Sequence, residues 1–191
     1  MKRYDAYKDS GVQWIGEVPR HWKIRRNKDI LKECKTLVGD DSSHYTLLSL
    51  TKQGVIVRDL TENKGKFPKE FNTYKVIEVG DMIFCFFDVD ETPRTIGLSN
   101  HNGMITGAYN VFKTKNVDPN YILYYYVSID DVKGLRPLYK GLRKVISFPT
   151  FMSAKVVTPP ISEQQSIVAY LKDKTSKIDQ YVTERERERA A

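Results

Sequence analysis

Histidine, cysteine and carboxylate side chains carry most enzymatic chemistry, and in these 191 residues they are scattered rather than grouped. His21, His44 and His101 lie far apart in unlike contexts, with no His/Cys pairing at the spacing of a zinc site. Asp88-Val89-Asp90-Glu91 offers three carboxylates to a divalent ion. It lacks the glycine and the terminal glutamate of a calcium loop, so a solvated loop is the better reading. Glu62-Asn63-Lys64, with Asp41 upstream, can be laid onto the Asp, Glu-x-Lys pattern of metal-dependent nucleases, which arises by chance in most lysine-rich chains. Thr158-Pro159-Pro160-Ile161 is superficially similar to the Asn-Pro-Pro-Tyr tetrapeptide of DNA amino-methyltransferases. Thr158 has no amide to accept from a target amino group, Ile161 has no ring to stack on a flipped base, and no glycine-rich cofactor strand accompanies them. The residues therefore predict no catalysis, no metal and no cofactor of the chain's own.

With catalysis set aside, the charge distribution is the strongest signal. Thirty-one basic residues against 24 acidic ones leave +7 at neutral pH, with a pI near 9.2. From Ile161 onward six basic and six acidic residues cancel, so the whole excess sits in residues 1–160. A basic body with a neutral appendage suits a body that meets a polyanion and an arm that meets protein. Val132 to Ser162 holds Lys133, Arg136, Lys140, Arg143, Lys144 and Lys155 without one acid. Its glycines suit close backbone approach to phosphates, onto which arginine can fork. A second cluster, Arg20, His21, Lys23, Arg25, Arg26 and Lys28, meets no acid until Asp29. It could touch phosphate, though a solvated helix face is the commoner explanation.

The scaffold behind these residues reads as α+β, a mixed or antiparallel β-rich body with flanking helices and a long C-terminal helix of coiled-coil type. Hydrophobic content of 40% with 12% aromatics fits a folded body. The absence of an 18-residue apolar run and the polar start Met1 to Asp9 point to a cytoplasmic protein. Cys34 and Cys85 read as core thiols rather than a disulfide. Tyr7 to Trp22 is rich in turn formers and should lie extended over the body, pinned by Trp14 and Trp22. Ile24, Ile30, Leu31 and Cys34 predict a helix over 23–35. From Tyr45 the period becomes that of strands, with 45–50 joined to 55–58, 74–77 to 82–87 and 95–98 to 104–106 as hairpins, then 109–113. The polar connections 59–72 and 88–94 are where a rigid scaffold displays binding side chains. Asp118-Pro119 caps a helix over 121–128.

Pro159-Pro160 ends the body, since neither proline donates a backbone hydrogen bond. Ser162, with Gln165 three residues later, predicts a capping box, and no Pro or Gly follows before Arg189. One helix of about 28 residues and roughly 40 Å is expected. Along it Gln164, Val168, Leu171, Thr175, Ile178, Val182 and Arg185 alternate spacings of four and three, the seam of a coiled coil. So narrow a stripe needs a partner helix or the chain's own body. The expected division is residues 1–158 as body and 159–191 as spacer or dimerisation helix.

Tyr7-Lys8-Asp9-Ser10-Gly11-Val12-Gln13-Trp14-Ile15-Gly16-Glu17-Val18-Pro19-Arg20-His21-Trp22, Val79-Gly80-Asp81-Met82-Ile83-Phe84, and Pro159-Pro160-Ile161-Ser162-Glu163-Gln164-Gln165 with Ile178-Asp179 span nearly the whole chain. Together they closely resemble the specificity subunit of type I restriction-modification systems. The resemblance implies a target-recognition domain for duplex DNA followed by a helical spacer. In the family two such halves stand in tandem. Modification subunits docked on the spacers methylate adenine N6 with S-adenosylmethionine, and restriction subunits join them. The chain holds one half, which makes a homodimer through Val168, Leu171, Thr175, Ile178 and Val182 the simplest closure. Charge and loop position then nominate Lys64, Lys66, Arg94, Thr95, Arg136, Lys140, Arg143 and Lys144 as DNA contacts, with Tyr139 able to pack on sugar or in the core. A protein-only decoy that binds modification subunits and an autonomous metal-dependent nuclease are the competing expectations.

Overall fold

Met82, Ile83 and Phe84 are all buried, and three consecutive buried residues in a strand require cover on both faces. Everything else in the body is arranged to supply that cover. The structure is a computed structural model and describes residues 4–12, 14–58, 70–141 and 144–190. In chain order its elements are β1 (Tyr7–Asp9), β2 (Glu17–Pro19), β3 (Lys23–Arg26), the single turn α1 (Asn27–Ile30), β4 (Leu31–Cys34), β5 (Leu48–Thr51), β6 (Gly54–Val57) and β7 (Lys75–Ile77). Then follow β8 (Met82–Phe84), β9 (Ile96–Leu98), β10 (Gly103–Ile105), β11 (Asn110–Thr114), α2 (Pro119–Asp131), β12 (Tyr139–Lys140), β13 (Val145–Ile146), α3 (Phe148–Ser153), β14 (Lys155–Thr158) and α4 (Ile161–Ala190).

Four strands form the central antiparallel sheet in the order β4-β11-β8-β9. The two-residue period of a strand sorts its side chains onto opposite faces. Met82, Phe84 and Phe112 join Phe86, Tyr126 and Phe151 in the main core under α2 and α3, whereas Ile83 and Val111 join Leu48, Val55, Ile77 and Ile105 on the other side. Phe84 sits at the hub of the main core, with ring centroids 4.8 to 5.8 Å from those of Phe86, Phe112, Tyr126 and Phe151. The hairpin β5–β6 lies directly on β9 because Gly97 has no side chain. A Cβ there would stand 2.7 Å from Leu50 Cδ1 and from Val55 Cγ2.

The α+β expectation holds, with antiparallel sheets and the long C-terminal helix in place. Helix α2 begins where Asp118-Pro119 predicts, with the Asp118 carboxylate accepting from the amides of Asn120 and Tyr121. It ends in a Schellman arrangement, Gly134 N–H to Ile129 O and Lys133 N–H to Asp130 O, with Lys133 in the left-handed region at φ +51°.

Three local expectations fail, the first two to tertiary pairing. Residues 23–35 are two strands around one helical turn. The β3 half pairs with β14 and the β4 half with β11, partners that local periodicity cannot see. Strand β8 takes β9 and β11 as neighbours, so β7 and β10 pair with each other rather than with β8 and β9. Helix α4 starts at Ile161, with the amides of Glu163 and Gln164 on the Pro160 carbonyl. Ser162 therefore lies inside the first turn, where it is not the capping residue.

Helix α4 is 30 residues long, about 45 Å, and divides into two parts. Gln164 and Val168 are buried, and Ile167 packs against the main core beside α2. Every residue from Lys172 to Arg189 is exposed. The expected seam is split accordingly. Val168 is claimed by the chain's own core and Leu171 is half-buried, while Thr175, Ile178 and Val182 face solvent.

Candidate nucleic-acid interface

The loop between β8 and β9 is held at both ends. Cys85 N–H continues the hairpin ladder to Thr95 O, and Ile146 N–H on β13 bonds to Phe86 O. At its tip the amides of Glu91 and Thr92 turn back onto the Asp88 carbonyl, with Asp88 at φ +46°. Asp88, Lys133 and Lys144 are three of the four non-glycine residues in the left-handed region among the described residues, and all three belong to this loop cluster. Such conformations persist only where surrounding contacts over-determine them.

Two carboxylates provide those contacts. Asp130, 2% exposed in its side chain, lies on the buried face of α2 in register with Ile122 and Tyr126. It accepts from Thr95 N–H at 3.0 Å, Thr95 Oγ1 at 2.9 Å, Lys133 Nζ at 3.2 Å and Arg94 Nη1 at 3.5 Å. Arg94 also reaches Asp131 at 2.8 Å, and Lys133 donates to the Thr92 carbonyl. Asp90, nearer the surface, holds Arg136 Nε and Lys144 Nζ, each at 2.9 Å. Hydrogen bonds from Lys144 and then Arg136 keep its carboxyl below the usual carboxylate range.

This geometry changes the meaning of the acid-free stretch that begins at Val132. In space three of its cations are answered by acids from elsewhere in the sequence: Lys133 by Asp130, Arg136 by Asp90, and Lys144 by Asp90 with Glu91 at 3.8 Å. Lys140 is exposed at the β12–β13 hairpin with no carboxylate partner among the described residues. Thr95 is 2% exposed with both its polar groups on Asp130, and Arg94 is tied to Asp130 and Asp131. Both side chains are thus engaged inside the loop base. Tyr139 packs against the main core, and burial pushes its phenol up. Lys64, Lys66 and Arg143, with Glu62-Asn63-Lys64, lie outside the described residues.

Sequence reasoning missed both anchors. The signal for Asp130 was an acid four residues beyond Tyr126 on an apolar helix face. Asp90 gave none, because its partners lie 46 and 54 residues away.

A second junction fixes the helix to the body. The Glu163 carboxylate accepts from Tyr4 Oη and Trp22 Nε1, each at 2.9 Å, and stands 2.6 Å from His21 Nε2. Desolvation pushes its carboxyl up, but the hydrogen bonds from His21, Trp22 and Tyr4 together outweigh it, so the group titrates below the ordinary glutamate value. Next along, Gln164 Oε1 accepts from Asp118 N–H and its Nε2 donates to Pro159 O, each at 2.8 Å. The Arg-His-Trp and Glu-Gln ends of the two long motifs thus meet each other. Cys34 and Cys85 are free thiols, no cluster of three metal-ligating side chains exists among the described residues, and no described helix is long and apolar enough to cross a membrane.

No protein-family model matches the chain, and no curated protein matches it by sequence. Solved structures do match its fold. A chain of a type I R-M system, from work on its complex assembly and conformational transition, shares a TM-score of 0.63 at 14% identity, over 88% of this chain and 42% of that one. The HsdS subunit from Thermoanaerobacter tengcongensis matches at TM-score 0.54 and 15% identity, over 91% and 41%. The type I restriction-modification S subunit from M. genitalium matches at 0.54 and 13%, over 85% and 41%. The chain spans about two fifths of the length of these structures, and over that length its β-rich body and long helix have the fold of a type I restriction-modification S subunit.

Proposed function

We propose that the chain is one recognition half of a type I specificity subunit. It binds duplex DNA sequence-selectively, catalyses nothing itself, and directs adenine N6 methylation and restriction by partner subunits in the cytoplasm. S-adenosylmethionine belongs to the modification partner. The observation that carries this reading is the pairing of an S-subunit fold with a cross-braced cationic loop cluster at one end of the body. Phosphate contacts position such a body, and side chains on its loops read base edges. Arg136, Lys140 and Lys144 are the described contact residues, Lys64, Lys66 and Arg143 remain candidates from sequence, and Arg94 and Thr95 position the loop. Residues 1–158 act as the recognition body and 159–191 as the spacer.

The exposed part of α4 supports a partner in trans. Ile178 and Val182 are 60% and 46% exposed on one stripe, and a homodimer would present two identical bodies to an interrupted palindrome. Cells expressing the chain with a type I modification subunit should acquire a methylated adenine motif, read by methylome sequencing. A motif unchanged when this chain is replaced overturns the reading. Ile178→Glu with Val182→Glu should abolish the dimer in sedimentation while leaving the melting temperature of the body unchanged.

A further inference from the structure

The cluster Arg20 to Lys28 is absorbed by neither the loop cluster nor the helix. On a helix it would be a solvated face, but residues 23–26 form strand β3, paired along its length with β14. Strand geometry puts Lys23 and Arg25 on one face and turns Ile24 to the other, where it packs near Val12, Val18 and Val157. Lys23 and Arg25 open onto a groove of about 360 Å³ at the root of α4, with His21 beside them. Pro159, Pro160 and Ile161 give the groove an apolar floor, and no acidic side chain lines it. Asn116, held in the left-handed region at φ +54°, closes the far side.

The electrostatics differ from those of the loop cluster. No ion pair is formed by Lys23 or Arg25 among the described residues, whereas four loop-cluster cations are each within 4 Å of a carboxylate. Glu163, the acid nearest to the groove in sequence, is occupied by Tyr4, Trp22 and His21. Two uncompensated cations above an apolar floor match a sugar-phosphate strand, whose sugars are apolar and whose charge recurs at every residue.

We infer that the groove between β3 and the root of α4 is a second DNA contact, which grips the phosphodiester backbone through Lys23 and Arg25 without reading sequence. It rests on the reading that the body binds duplex DNA, and deepens it by adding a non-specific clamp apart from the recognition loops. Its position at the helix root places it on the spacer side of the body.

The test is fluorescence anisotropy of the full chain with two duplexes, one carrying the motif it directs and one scrambled, across a salt series. Each phosphate contact contributes about 0.9 to the slope of log affinity against log salt. Lys23→Glu with Arg25→Glu should flatten that slope by about 1.8 and weaken both duplexes roughly 60-fold at 0.1 M salt. The ratio between the duplexes should not move. Lys23→Gln with Arg25→Gln, which removes both charges and leaves shorter polar side chains in the strand, should flatten the slope by a similar amount with an unaltered melt. Selective binding by the wild type with an unchanged slope in both variants overturns the clamp and leaves the recognition reading standing. No duplex affinity in the wild type overturns both. Unchanged DNA binding with lost assembly of modification subunits would assign the groove to an acidic protein segment and overturn the clamp.

Discussion

The loop cluster and the β3 groove carry similar cations in opposite electrostatic settings. Around the loops, Arg94, Lys133, Arg136 and Lys144 each meet a carboxylate, two of them on Asp130 and two on Asp90. On β3, Lys23 and Arg25 meet none among the described residues, and their groove has no acid. A paired cation is fixed in place and adds little to the outer field, whereas an unpaired one attracts a polyanion from any direction. The difference separates shaping a recognition surface from drawing DNA towards it. The two acids of the loop cluster also differ in depth. Asp130 is a buried acceptor for Arg94, Thr95 and Lys133, and Asp90 is a surface clip that orients two side chains.

The largest effect expected from breaking this contrast is at Asp130. Asp130→Ala leaves the Thr95 amide and hydroxyl without their acceptor and removes the one carboxylate of Lys133, and loss of a partner in a buried pair costs about 3–5 kcal/mol. Denaturant unfolding should show that loss, and hydrogen exchange should rise first at residues 92–95. A destabilisation under about 1 kcal/mol would mean that the loop base is held by other contacts.

Asp90→Ala should convert part of the loop cluster into the β3 type. Arg136 and Lys144 would lose their shared anchor, so affinity for scrambled duplex should rise, with the salt slope steeper by up to about 1.8. Discrimination between motif and scrambled DNA should fall. The melting temperature should stay within error, since exposed ion pairs add little to stability. Improved discrimination in this variant would show that Asp90 masks the contacts instead of aiming them.

The smallest effect is a pH response at the helix root. Glu163 has a folded value held below its unfolded one of about 4.3. Its contribution is therefore present above that unfolded value and lost as pH falls through the lower folded one. Acidification through that window should loosen the strap carrying Tyr4, His21 and Trp22, read as a change in tryptophan emission. Glu163→Gln should remove the step and lower the melt slightly at neutral pH, since the amide lacks the charge that the folded state favours.

Much of the fold was legible from local chemistry. Asp118-Pro119 set the start of α2, Gly54 marked the β5–β6 hairpin, whose turn is Lys52-Gln53, and the proline pair followed by an unbroken run set α4. The strand pairing was not, because β3 and β4 find partners far along the chain and a short apolar run reads equally as helix or strand. For the candidate site, the sequence supplied Lys140 as an exposed cation and the two long motifs, but named Arg94 and Thr95 as contacts. The structure turns those two inward because Asp130 stands on the same helix face as Ile122 and Tyr126.

By itself the amino-acid sequence determined most elements outside residues 23–35, the excess positive charge of the body and the length of the final helix, all properties of residues close along the chain. Only the tertiary structure decided which cations are neutralised and which are left to act. That depends on which acid folds against which base, and the acids that answer Arg136 and Lys144 lie 46 and 54 residues away. It also decided that the expected seam of α4 is two surfaces, Val168 closing the body and Ile178 with Val182 facing out, because the helix leaves its own core after Leu171.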